Sequence, residues 1–347
     1  MSDNTKKIIR FSISSILIIV SVWYATRDIN FTNLWHILLN ADYLWVLLSI
    51  PVILLSHWIR AMRWKTMLEP ALKVKSASTW NLFSAVMIGY LFNCVLPRGG
   101  ELIRPYVYAR REKVSFTSTF ATIIVERVID VIILVLLFAF VFFFLSDQIV
   151  QAFEEKVDVV KVIYVTGMIL FVVIASFYPP VFRFLIRIVL KPISKNFYDK
   201  ISQLFEKFLK GFAIIKSPSK YLQLSFESFA IWFCYTVPMY LMFFSFNLHT
   251  TANLGFSDAI LLIVISGIGT TIAPTPGAVG IYHYLIQTAM VMLYGMQKEE
   301  ALAYATLTHG VNYLIQVIVG GLFFMRENVK KIPLNEVELP KDSLNGT

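Results

Sequence analysis

The chain has 347 residues, a formal net charge of +9 at pH 7, 57% hydrophobic residues and only 15% charged residues. Soluble domains carry roughly 25% charged residues, and the apolar residues here extend over nearly the whole length, so soluble dehydrogenases, kinases and nucleic-acid-binding proteins are excluded. We therefore predict an all-α, polytopic membrane protein whose excess of Lys and Arg fixes its topology.

Long apolar runs predict about six full membrane spans. In chain order the predicted spans are 8–25, 43–62, 116–145, 160–178, 221–248 and 301–325. The two cysteines lie in apolar stretches, at Cys94 and Cys234, and indicate neither a disulfide framework nor a cysteine-rich metal site.

Two further apolar segments, 79–105 and 258–294, are predicted to form re-entrant hairpins of broken helix. The first has basic clusters on both sides, so a single crossing would leave one of them outside, against the positive-inside bias. The second is interrupted at 273–280 by Ala-Pro-Thr-Pro-Gly-Ala-Val-Gly, where proline removes a backbone donor and glycine frees the dihedral angles. Similar strings that begin at Gly89 and Gly267 indicate an inverted repeat with a site near the midplane. Chance similarity is the alternative.

We predict one membrane domain over 1–325, with a first half at 8–145 and a second half at 160–325. Residues 200–215 predict an amphipathic helix in the headgroup region, and the tail 326–347 is expected to be flexible. With this topology most Lys and Arg residues fall on one side, which predicts that both termini are cytoplasmic and that the chain is integral to the cell inner membrane.

Three charged residues, Glu126, Arg127 and Asp130, interrupt an otherwise apolar span. A charge at the centre of a membrane helix costs roughly 2.5–3.5 kcal/mol, so these side chains should face the protein interior and be paired. Since the two acids share a helix face and repel each other, a cation should lie between or opposite them. We expect Arg127 to reach Asp130, and Arg98 or Arg104 to reach Glu126. A purely structural salt bridge is the alternative.

The first hairpin ends in Pro-Arg-Gly-Gly-Glu-Leu-Ile-Arg-Pro. The guanidinium forks of Arg98 and Arg104 match phosphate oxygens, and the glycine pair allows backbone amides to point at an anion. Glu101 would orient an arginine or contact a cationic head group. Arg60 and Arg63 are expected to add to this anion site, although charges that only fix topology explain them equally well.

The second hairpin and the last span supply a further set of candidates: Pro274, Pro276, Gly277, Gly280, His283, His309 and Asn312. The half-helix that begins near Gly280 would direct its positive end at the cavity. His283 and His309 can carry protons near neutral pH, the alternative being a hydrogen-bonded structural role. The chain has neither a Gly-x-x-x-x-Gly-Lys-Ser/Thr loop nor a His-Glu-x-x-His pair, so we expect no ATP hydrolysis, no metal and no cofactor.

Four motifs in this order resemble the lysylphosphatidylglycerol synthase transmembrane-domain family, also called the flippase-like domain family. The motifs are Arg60-Ala-Met-Arg63-Trp64, Asn93-x-x-x-Pro97-Arg98-Gly-Gly-Glu101-x-x-Arg104, Glu126-Arg127-x-x-Asp130 and Pro274-x-Pro276-Gly277-x-x-Gly280. The resemblance covers roughly residues 8–325 and implies an integral membrane protein. The better understood members move aminoacylated phospholipid between leaflets.

Two positions depart from the family pattern, because Ala278 stands where the family usually has Gly and His283 where many members have Glu. The head-group preference is therefore not carried over. The soluble aminoacyl-transferase domain of fused members is not found in these residues, so we do not expect synthesis of an aminoacyl lipid.

The function predicted from the sequence is a lipid translocase, a transporter and not an enzyme, that moves an anionic, aminoacylated or other phosphate-bearing lipid between leaflets. Its partners would be membrane phospholipid and either a second copy or a lipid-modifying enzyme, with no nucleic acid. One alternative is an intramembrane transferase with Glu126 or His283 as general base. Another is an accessory subunit that delivers lipid to a membrane enzyme.

Overall fold

The computed structural model describes residues 3–72, 76–144 and 218–327, together with isolated positions between 180 and 202. Within these ranges every regular element is a helix, which confirms the all-α prediction. The predicted span 160–178, the predicted amphipathic helix 200–215 and the tail beyond 327 lie outside these ranges.

The described helices are numbered here in chain order. They are α1 (Asp3–Thr26), α2 (Phe31–Leu39), α3 (Tyr43–Leu72), α4 (Thr79–Val95), α5 (Gly100–Glu112), α6 (Phe116–Phe144), α7 (Pro218–Ser245), α8 (Leu248–Thr251), α9 (Phe256–Ile272), a 3₁₀ turn (Pro276–Ala278), α10 (Ile281–Tyr294) and α11 (Lys298–Arg326).

Helix length separates two classes of element. Among the described residues, three helices are long and apolar enough to cross a membrane, within α3, α7 and α11. Helices of 29 or 30 residues reach roughly 44 Å, more than the ~30 Å hydrocarbon core. By contrast, α4 and α9 have 17 residues each and reach only about 25 Å. The short helices are those of the predicted hairpins.

The first hairpin turns between α4 and α5, as predicted, and its two helices touch through backbone. The amide of Gly100 donates to Oδ1 of Asn93 at 2.7 Å. A Cβ atom at Gly100 would lie 2.0 Å from the carbonyl oxygen of Gly89, so only glycine allows this approach. Re-entry from one side of the membrane stays a prediction.

The second hairpin breaks at the predicted Pro-Gly segment, and its tip meets the tip of the first. Gly277 has a φ of +58°, and an added Cβ would lie 3.4 Å from Cα of Cys94 at the end of α4. From the other side, Nη2 of Arg98 donates to the carbonyl of Thr271 at 2.8 Å. The two interrupted segments are therefore in direct contact.

The two halves of the sequence interleave in the packed structure. Helix α3 lies along α7, and α11 packs against both α4 and α10. One apolar core surrounds the fully buried Trp64 and Leu82, while a second surrounds Phe243 and Tyr304. This interleaving places α3, α5 and α6 around one polar centre.

Candidate functional site

Six charged side chains meet between three helices, and we call them the ionic cluster. They are Arg60 and Arg63 of α3, Arg104 of α5, and Glu126, Arg127 and Asp130 of α6. Spacings of three and four residues place the members from each helix on one face. Five of the six are buried, with Arg63 and Glu126 fully inaccessible. The exception is Arg127, whose side chain is 42% exposed.

The predicted cation between the two acids is Arg60. Its Nη1 donates to Oε1 of Glu126 and also to Oδ2 of Asp130, at 3.2 Å from the latter. Behind it, Nη2 of Arg63 donates to Oδ1 of Asp130 at 2.6 Å. Arg127 reaches Asp130 at 3.2 Å, as predicted, and Glu126 at 3.0 Å. Glu126 and Asp130 are thus both paired with arginines, as expected from the energetic cost of burying a charge in the membrane.

Of the two arginines predicted to reach Glu126, the structure selects Arg104. Its Nη1 and Nη2 lie 2.9 Å from Oε1 and Oε2 of Glu126, so the two groups face each other as forks. The guanidinium carbon also lies 4.0 Å from the ring centroid of Trp64. Arg104 is buried and is not among the residues that line the cavity described below. Arg98 is elsewhere, at the hairpin tip.

A cavity of about 510 Å³ opens beside the ionic cluster, within the size range of small-molecule sites. Its polar wall is formed by side chains or backbone of Arg60, Asn93, Arg98, Glu101, Arg127, Asp130, Pro274, Thr275, Gly277, Ala278, His309, Asn312 and Gln316. Both hairpin tips and the cavity-facing part of the ionic cluster therefore share one chamber. Much of the remaining lining is aliphatic or aromatic.

The last long helix fixes the second hairpin tip. Nε2 of His309 donates to the carbonyl of Gly277 at 2.7 Å, which holds the left-handed turn against α11. Nε2 of Gln316 donates to Oδ1 of Asn312 at 2.9 Å, along the same face. His309 and Asn312, which were predicted as candidates on this span, thus line the cavity. His309 also makes a hydrogen bond to the backbone, which is the structural role named as the alternative for it.

Some predicted residues of the second hairpin lie away from the cavity. The ring of His283 packs edge-on against that of His309, with centroids 4.8 Å apart, and is not among the lining residues. Gly280, with a φ of +80°, packs against α1, where an added Cβ would meet Ser21 at 3.0 Å. Pro276 is also outside the lining.

The structure adds aromatic and imidazole groups that the sequence reading missed. Nε of Arg60 donates to the hydroxyl of Tyr235 at 3.0 Å, and that hydroxyl is 3.3 Å from the hydroxyl of Tyr90. The ring of His57 packs at a tilt against that of Tyr90, with centroids 4.5 Å apart, and His57 is 2% exposed. Within the described part of the chain, neither ring nitrogen of His57 has a hydrogen-bond partner. His57 could have been identified from the sequence, because an ionisable residue within an apolar span indicates a functional site.

The buried acid Glu227 of α7 was also missed in the sequence. Its Oε1 accepts from Oγ1 of Thr66 at 3.2 Å and from Nε2 of Gln223 at 2.9 Å. Gln223 in turn accepts from Nζ of Lys220 at 3.3 Å. This chain of contacts links Glu227 to its own cation and lies outside the cavity lining.

The arrangement is suited to binding an anion. In the described ranges no three His, Cys, Asp or Glu residues are placed to hold a metal ion. What the cavity does present is arginine, whose planar fork of donors matches phosphate oxygens in pairs.

A family model described as the lysylphosphatidylglycerol synthase TM region matches residues 8–320. A UPF0104 membrane protein of Pyrococcus horikoshii is 22% identical over 339 residues, which cover 92% of this chain and 97% of that protein. A UPF0104 membrane protein of Methanocaldococcus jannaschii is 27% identical over 241 residues, covering 68% of this chain and 94% of that protein.

The glycosyltransferase AglD of Haloferax volcanii is 23% identical over 330 residues. The aligned part covers 88% of this chain and 52% of that protein, so this chain spans about half of its length. No solved structure matches the chain significantly.

Proposed function

The chain belongs to the lysylphosphatidylglycerol synthase TM region family, and from that premise we propose that it is a translocase for a phosphate-bearing lipid. The observation that carries the proposal is the shared chamber, in which arginines of the ionic cluster and both hairpin tips line one cavity of about 510 Å³. Broken helices at membrane depth are tolerated where they line such a cavity.

Within the chamber the arginines divide into two groups. Arg60 and Arg127 of the ionic cluster line its wall, and Arg98 lines it at the tip of the first hairpin. These three would hold the head-group phosphate through charge-assisted hydrogen bonds. Arg63 and Arg104 lie behind the wall and hold the acids in place.

The carboxylates have a supporting role in this proposal. Glu126 is fully buried and ion-paired with arginines, so it keeps their guanidinium groups fixed rather than meeting the lipid. Asp130 lines the chamber but is likewise ion-paired with Arg63 and Arg127. The aliphatic lining, which includes Leu134 and Ile263, offers a surface to the first carbons of a lipid tail.

Lipid movement in proteoliposomes tests the proposal. The purified chain is reconstituted with a trace of headgroup-labelled phospholipid, and the loss of label from the inner leaflet is followed with a membrane-impermeant quencher. We expect Arg98→Ala and Arg127→Gln to abolish movement above the protein-free rate. Arg27→Gln is the matched control, because Arg27 pairs with Asp28 at an exposed site outside the chamber.

The same measurement can refute the site. If both variants move lipid at the rate of the unsubstituted chain while the protein is present and folded, the arginines of the chamber have no part in transport. If the unsubstituted chain moves none of the phosphate-bearing lipids that are offered, the translocase proposal itself fails.

A transferase acting on a lipid-linked substrate is the second candidate, favoured by the similarity to the glycosyltransferase of Haloferax volcanii. Mass spectrometry of lipids incubated with the purified chain separates the two functions. A translocase leaves the mass of the lipid unchanged, whereas a transferase adds or removes a group.

A further inference from the structure

The ionic cluster contains more positive than negative charge. Four guanidinium groups face two carboxylates, which leaves an excess of two positive charges. At the hairpin tip Arg98 and Glu101 carry opposite formal charges, and Arg98 donates to the carbonyl of Thr271. The neighbouring acid Glu227 is linked through Gln223 to Lys220 and forms no ion pair with the cluster among the described contacts.

The predicted span 160–178 contains neither Asp nor Glu. Acids before and after that span fall in segments predicted to lie at the surface. Among the contacts of the described residues, the ionic cluster has an excess of two positive charges.

Uncompensated charge in a low-dielectric interior is costly, because desolvation is not repaid by a partner. The chamber gives access to this cluster, because Arg60, Arg127 and Asp130 line it. Arg127 is the most exposed member, with a side chain that is 42% accessible, and it lines the chamber together with Arg60. The buried arginines behind them already have partners. A ligand with two negative charges would complete the balance.

Resting on the function proposed above, we propose that the lipid head group is a phosphate monoester or a diphosphate, with two or more negative charges. A phosphodiester such as phosphatidylglycerol carries one negative charge and leaves one guanidinium uncompensated. A lysyl ester of that lipid brings further positive charge into a chamber that already has an excess. The chemistry of the site thus favours a lipid phosphate over an aminoacylated phospholipid.

Binding to the purified full-length chain in neutral detergent tests this preference. The probes are dioctanoyl phosphatidic acid, a monoester, and dioctanoyl phosphatidylglycerol, a diester with the same tails. Geranylgeranyl phosphate carries the same monoester on an isoprenoid tail. Comparing it with phosphatidic acid therefore distinguishes an isoprenoid lipid from a glycerolipid as the source of the head group. We expect a monoester to bind about tenfold more tightly than the diester near neutral pH, since close charge pairs of this kind are worth 1.4 kcal/mol or more.

Acidification supplies an independent test on the unsubstituted chain. The second ionisation of a phosphate monoester has a pKa of about 6, so near pH 5 the probe carries mainly one negative charge. The advantage of the monoester over the diester should then largely disappear. The diester keeps its single charge over this range and reports any general change in the protein.

Arg127→Gln removes one of the two excess charges while leaving the buried pairs of Arg63 and Arg104 intact. We expect this variant to lose most of the preference for the monoester, and Arg27→Gln to keep it. Equal affinity for monoester and diester in the unsubstituted chain overturns the inference, as does a preference that survives both Arg127→Gln and acidification. If the diester binds and is moved without any preference, this inference fails and the translocase proposal stands. If no phosphate lipid binds or moves, both fail.

Discussion

Replacing Gly100 by alanine should force the two helices of the first hairpin apart. The new Cβ would lie 2.0 Å from the carbonyl oxygen of Gly89 and 2.8 Å from Oδ1 of Asn93. Because the obstructing atom is backbone in a close-packed contact, α5 must move by roughly 1 Å or more. That movement carries Arg104 away from Glu126. Overpacking costs about 1–3 kcal/mol, and weakening the buried ion pair adds to it, so we expect a loss of about 2–4 kcal/mol in the free energy of unfolding.

The loss in the free energy of unfolding can be measured in detergent by chemical or thermal unfolding. Alanine substitutions at three glycines with different amounts of free space provide the comparison. An added Cβ at Gly89 would meet its nearest atom at 3.0 Å, so Gly89→Ala should cost less than Gly100→Ala. At Gly310, within α11, nothing lies within 4 Å, and alanine should stabilise the helix by about 0.5–1 kcal/mol. Lipid movement should fall in the same order. The reasoning is refuted if Gly100→Ala is as stable as Gly310→Ala.

Two further predictions concern the ionic cluster and the second hairpin tip. Arg63→Met should lower the free energy of unfolding by about 1.5–3 kcal/mol, because Asp130 loses its 2.6 Å hydrogen bond and keeps only its 3.2 Å contacts with Arg60 and Arg127. Denaturant unfolding of Arg63→Met, Asp130→Asn and the double variant measures the coupling between the two residues. Gly277→Ala adds a Cβ 2.6 Å from the ring of Tyr313 at a φ of +58°, whereas Gly295→Ala meets open space at a φ of +63°. Both carry about 1–2 kcal/mol of left-handed strain, but only the first should also reduce lipid movement in proteoliposomes, and equal effects on transport would contradict the assignment of this tip to the site.

The charge pattern of α6 could be read from the sequence because helix spacing is regular. Asp130 is four positions after Glu126, so their common face and their need for a cation follow from geometry alone. The breaks at both hairpins were equally accessible, since proline and glycine act through local backbone restrictions. These features depend on residues close in sequence.

The roles of Arg60 and Arg63 could not be decided in this way. The apolar run that predicts their span ends at 62, and basic residues at a membrane boundary normally fix topology. In the structure α3 continues to Leu72, so both arginines lie inside the helix and face α6. Their burial is set by helices distant in sequence, which no local pattern encodes.

The same limit applies to His283. Its position after the Pro-Gly break suggests a cavity-facing group, but the φ of +80° at Gly280 sets the direction in which α10 begins. The lining side chain from that turn of helix is Tyr282 instead. Gly277, Ala278 and Gly280 all have positive φ angles in this turn, and the sequence pattern alone does not reveal the path that they give the chain.

The interleaving of α3 with α7 and of α4 with α11 restricts where a gate can be. Pulling the halves of the chain apart would tear both interfaces and release Glu327, which accepts from Ser84 and pairs with Arg111. Parting the two hairpin tips breaks the bond from Arg98 to Thr271, and moving the second tip away from α11 breaks the bond from His309 to Gly277. For the proposed translocase, these contacts favour a gate at the two hairpin turns over one between the halves of the chain.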